Sequence, residues 1–99
     1  MTDQKFQIER FSTVWDALED NPQQAANMRL RSTLLFELCR TIRSWELSQK
    51  DAATRLNISQ PRLNDVLNGK IDKFSLDALV NLSAAAHVQV DLCFTPLPA

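Results

Sequence analysis

Five polar side chains stand close together at Gln60, Arg62, Asn64, Asp65 and Asn68, interleaved with Leu63, Val66 and Leu67. At 3.6 residues per turn the apolar set falls on one side of a helix and leaves the polar set on the other. Amides, a guanidinium and a carboxylate on one helix face can donate to and accept from base edges in a major groove. Geometry favours Arg on guanine O6/N7 and Gln on adenine N6/N7, each good pair contributing about 1–3 kcal/mol of discrimination. So many amides beside an arginine are poorly explained as plain solvated surface. Other chemistries find no support. His87 has no Cys, His or paired carboxylate near it in sequence, so zinc-type spacing is missing. Cys39 and Cys93 sit among apolar neighbours, where a free thiol behaves as a small hydrophobe. The single glycine could hardly build a phosphate loop or a nucleophile elbow. No catalytic residue, metal or cofactor is expected, and an enzyme is not.

The elements around this face read clearly. Ser59 caps the helix that opens at Gln60, and Pro61 falls in its first turn, where a missing N–H costs nothing. Gly69 is placed to stop it. Before it, Ser48 caps a helix from Gln49, with Asp51 near the positive dipole end and Ala52, Ala53 and Leu56 facing inward. Asn57 interrupts and tolerates the left-handed conformation, so Asn57-Ile58-Ser59 is a three-residue turn. The small alanines let the second helix cross close over the first, and Leu56, Ile58, Leu63 and Val66 make a shared core that fixes the angle. That is a helix-turn-helix.

Upstream, Asn21-Pro22-Gln23-Gln24 opens a long amphipathic helix over about 22–45. Ala26, Leu30, Leu34, Leu38, Ile42 and Trp45 form its expected stripe, widened by Met28, Leu35 and Cys39, with Arg29, Arg31, Arg40 and Arg43 off it. Downstream, Ser75 starts a helix from Leu76 to about Ala86. The period then changes: Val88, Val90, Leu92 and Phe94 alternate with Gln89, Asp91 and Cys93, which predicts a half-buried strand. Its partner is either Lys5–Arg10, read as a short strand or an ordered arm, or the same strand of a second copy. Thr13 and Asp16 suggest a short helix over Val14–Glu19 carrying Trp15 and Leu18. Trp15 and Trp45 read as core.

The chain of 99 residues is long enough for one modest core and too short for two domains. We expect an arm with a short helix over 1–20, a helix-turn-helix domain over 21–86, and a strand and tail for dimerisation over 87–99. Net charge is −3 over residues 1–27, +4 over 28–73 and −2 over 74–99, so an anionic partner would dock on the middle. No apolar stretch is long enough to span a membrane, and MTDQKFQIER lacks a signal-type apolar core, so a cytoplasmic protein is expected.

The run from Leu47 to Lys70 resembles the Cro/repressor-type (XRE) helix-turn-helix family, and within it the HigA-like antitoxin-type regulators. The resemblance rests on Gln49 after a capping Ser, the Ala52-Ala53 pair, the Ser59-Gln60-Pro61-Arg62 opening and the Leu67-Asn68-Gly69-Lys70 ending. It continues through Phe74-Ser75-Leu76-Asp77 and back into 15–35, with Asn57 standing where many members have Gly. It implies a mainly α, lambda-repressor-like helical bundle with one C-terminal β-strand, and a homodimeric transcriptional regulator on operator DNA. Such a regulator is a repressor, often of its own operon, and sometimes an antitoxin beside a RelE-like toxin.

Carried over, Gln60 and Arg62 are the main base readers, with Asn64 and Asp65 secondary. Asp65 either reads a cytosine or pairs with Arg62. Gln49, Ser59, Asn68, Lys70 and Lys73 are the phosphate contacts, while Lys50 and Arg55 are either phosphate contacts or solvated. Val88, Val90, Leu92 and Phe94, or the helix beside them, supply the two-fold contact. The rival reading is a protein-interaction module whose main task is to bind and neutralise a RelE-like toxin, using the acidic first 27 residues with Trp15 and Leu18.

Overall fold

Asn21 Oδ1 accepts from the Gln24 amide at 3.1 Å, and Pro22 supplies the first turn of α1 (Pro22–Ser44). The computed structural model describes residues 21–98. The expected arm over 1–20, the Lys5–Arg10 segment and the helix bearing Trp15 and Leu18 lie outside the described residues. After α1 come α2 (Gln49–Leu56), α3 (Gln60–Leu67), a 3-10 turn over Ile71–Lys73, and α4 (Leu76–Ala85). Each of α2, α3 and α4 starts on a serine whose Oγ accepts an amide three residues on: Ser48 from Asp51, Ser59 from Arg62, Ser75 from Ala78.

Three helices end the same way. At the close of α2, Asn57 takes φ 58° and ψ 44°, its amide bonds Thr54 O, and the Ile58 amide bonds Ala53 O, both at 3.0 Å. The close of α3 repeats this with Gly69 at φ 68°, bonding Val66 O while Lys70 bonds Asp65 O. The close of α4 repeats it with His87 at φ 61°, bonding Ala84 O while Val88 bonds Ser83 O. Such paired bonds satisfy carbonyls that a helix end would otherwise leave open, and the residue after the left-handed one turns inward. Ile58 and Val88 occupy that place and pack against the core.

The core lies between α1, α3 and α4, where Leu35, Leu38, Leu63, Val66, Ile71, Phe74 and Leu79 are fully buried; Ala52, Ala53 and Leu56 close it from α2. The expected stripe of α1 holds at Met28 and from Leu34 onward and fails at Ala26 and Leu30. Ala26 and Leu30 are exposed, and the buried residues are Met28, Ser32, Leu35, Leu38, Cys39 and Ile42. A stripe drawn by hydrophobicity passes over Ser32. Its hydroxyl donates to Met28 O at 2.8 Å, which removes the penalty of burying it.

The C-terminal strand is a second correction: among the described residues there is none. Val88 is half-buried, but Val90, Leu92 and Phe94 are exposed, the last two at 76% and 86%. The cause is local. The Val88 amide closes α4, and nothing described lies alongside the following backbone to complete a ladder.

Candidate nucleic-acid interface

Helix α3 separates its two faces sharply. Leu63 and Val66 are 0% exposed, whereas Gln60, Pro61, Asn64 and Asn68 are exposed. Gln60, Asn64 and Asn68 recur every fourth residue and so line one stripe. The Ser59 cap fixes the start of that stripe and Gly69 its end.

The buried side is anchored by α1 through side chains that reach backbone carbonyls. Cys39 Sγ donates to Val66 O at 3.0 Å, and Arg43 donates to Leu67 O at 3.3 Å, so the last turn of α3 is bonded to α1. Burial pushes the Cys39 thiol up to about 11, against a smaller opposing pull from Arg43, so it stays a neutral donor.

Arg62 and Asp65 stand half-buried at the edge of the exposed stripe. The Arg62 guanidinium lies over the Phe74 ring, 4.1 Å from its centre, and Nη1 donates to Lys73 O at 3.1 Å. Asp65 sits between Lys70, 3.5 Å away, and Lys73, 3.7 Å away. Of the two roles read for Asp65, an ion pair is what the free chain holds, though with these lysines in place of Arg62. Gln49 and Lys50 are exposed in the first turn of α2, and Ser59 is exposed with its oxygen already accepting the Arg62 amide.

A family model described as a helix-turn-helix domain matches residues 17–93, most of the chain. The chain belongs to this helix-turn-helix family. No curated protein matches the sequence.

Within this helix-turn-helix domain, two residues escape a reading by motif. Arg31 lies off the apolar stripe yet is half-buried, its Nη1 donating to Ile71 O at 3.4 Å and Phe74 O at 3.2 Å. Arg43 reads as surface but serves α3. Phe74 does carry a local signal: it precedes the cap Ser75, and Leu79 follows at the fourth helical position, the spacing of a hydrophobic staple. Arg55 stacks over Trp45 at 4.1 Å, which ties the last turn of α2 to the residue that closes α1. Among the described residues no three His, Cys, Asp or Glu side chains group as metal ligands, and no helix is long and apolar enough to cross a membrane. Cys39 is buried and free, Cys93 exposed and free.

Proposed function

We propose that this chain is a sequence-specific DNA-binding transcriptional regulator, a repressor of its own promoter, that works as a homodimer with α3 in the major groove. The observation that carries the reading is the division of α3: a fully buried apolar side bonded to α1, and an outward stripe of amides at Gln60, Asn64 and Asn68. A solvated helix needs no such rigid mounting. In this arrangement Gln60 and Asn64 read base edges, while Gln49, Ser59, Asn68, Lys70 and Lys73 meet phosphates. A single such module covers little DNA, so tight and specific binding calls for two copies whose reading helices stand about 34 Å apart along one side of the duplex.

The test is a gel shift with DNA from upstream of the chain's own gene, run at two salt concentrations against unrelated DNA. Wild-type protein shifts the upstream fragment preferentially and releases it as salt rises. Gln60→Ala flattens discrimination at one base pair by about 1–3 kcal/mol while leaving thermal unfolding unchanged. Equal affinity for both DNAs, or none for either, would refute the proposal.

A further inference from the structure

Side chains from two helices converge on residues 70–74, the stretch that leaves α3 and leads into α4. From α1, Arg31 bonds the carbonyls of Ile71 and Phe74. From α3, Arg62 bonds the carbonyl of Lys73 and covers the Phe74 ring, and Asp65 holds the ammonium groups of Lys70 and Lys73. The stretch has little regular structure of its own, one 3-10 turn over Ile71–Lys73, so its position depends on these side chains together with the burial of its own Ile71 and Phe74.

Taking the DNA-binding reading as its ground, we infer that Arg62 is a positioning residue and not a reader of bases. It fixes segment 70–74 against α3, and thereby sets where Lys70 and Lys73 meet the phosphates. The guanidinium is already committed. One flat side lies on an aromatic ring, and one N–H is engaged by a carbonyl. Bidentate reading of a guanine needs two N–H groups pointing together into the groove. Swinging Arg62 out along the exposed stripe would uncover Phe74, which is fully buried, and leave Lys73 O without its donor. A planar, delocalised cation suits stacking plus a forked bond, which a lysine reproduces only in part. Base reading then falls to Gln60 and Asn64, whose side chains are exposed.

The experiment measures binding by the full chain to its upstream DNA, to a panel of single-base variants of that DNA, and across a salt series. Arg62→Ala is expected to weaken binding to every DNA in the panel by a similar factor, about tenfold, and to make the salt dependence shallower by about 0.9 for each phosphate that is no longer neutralised. The rank order of the panel stays as in wild type. Arg62→Lys restores part of the affinity and of the salt slope. Gln60→Ala does the opposite, with a changed rank order and an unchanged slope. Loss of discrimination at one base pair in Arg62→Ala, with the salt slope intact, overturns the inference. Amide hydrogen exchange without DNA supplies an independent arm. In Arg62→Ala the amides of Lys73 and Phe74 exchange faster while those of α1 keep wild-type protection; unchanged protection at 73–74 also overturns it. If wild type binds no DNA, the DNA-binding reading fails and the phosphate role with it, whereas the exchange data still decide whether Arg62 holds the segment.

Discussion

Cys39 shows how one side chain ties stability to pH. Its thiol donates to Val66 O inside the core, and burial raises its pKa from 9.0 to about 11. Between those values the unfolded chain has released the proton and the folded chain still holds it. Stability is therefore undiminished by this group below pH 9 and falls as pH rises toward 11, with a slope of up to about 1.4 kcal/mol per pH unit. Urea unfolding at about pH 8 and about pH 10.5, on either side of the ordinary thiol range, measures this. Wild type loses more stability across the interval than Cys39→Ala, whatever the variant's cavity costs at the lower pH. Equal losses would show that the thiol does not titrate as its burial demands. A thiol reagent at the lower pH gives a companion result: Cys93, being exposed, is labelled long before Cys39.

At the scale of elements, the left-handed residues that end α2 and α4 predict unequal responses to substitution. Asn57 tolerates φ 58° because a short polar side chain suits that region, so Asn57→Gly changes stability little. A β-branched side chain there costs about 1–2 kcal/mol or more, and Asn57→Val lowers the urea midpoint accordingly. His87 carries more strain than asparagine would, so His87→Gly stabilises by up to about 1 kcal/mol. A His87→Gly variant that unfolds earlier than wild type would mean the imidazole holds something that its backbone role does not explain.

The same elements mark how far local chemistry can be read from the sequence. Helix starts at Asn21, Ser48, Ser59 and Ser75 are legible because a cap bonds an amide only three residues away. Asn57 and Gly69 are legible as helix ends because their residue types favour positive φ. His87 is not, since histidine, although it enters positive φ more often than most residues, is a far weaker helix-stop signal than glycine. Ser32 hides the buried side of α1 for a related reason: its polarity is cancelled by a bond within its own helix. The amide stripe of α3 is also legible. The commitments of Arg31, Arg43 and Arg62 are not, because each bonds a carbonyl on a different element, 40 and 43, 24, and 11 residues away.

For the whole molecule, the question of partnership turns on residues 88–98. Val90, Leu92, Phe94 and Leu97 are all exposed although apolar, while the core behind them is closed by Val88. Among the described residues this apolar edge has no neighbouring strand, and pairing with a second copy would supply both ladder bonds and burial. Dimerisation through this segment would also set the separation of the two α3 helices on DNA. Light scattering coupled to size exclusion at micromolar concentration is expected to give a dimer for wild type and a monomer for Leu92→Asp or Phe94→Asp. Both side chains lie outside the core, so thermal unfolding of the helical domain, measured in dilute protein, stays close to wild type. The monomeric variants then bind a full operator at least about tenfold more weakly, since each half-site is engaged independently. A dimer that survives both substitutions would move the two-fold contact onto a helix, with α4 and its exposed Val80 the first surface to test.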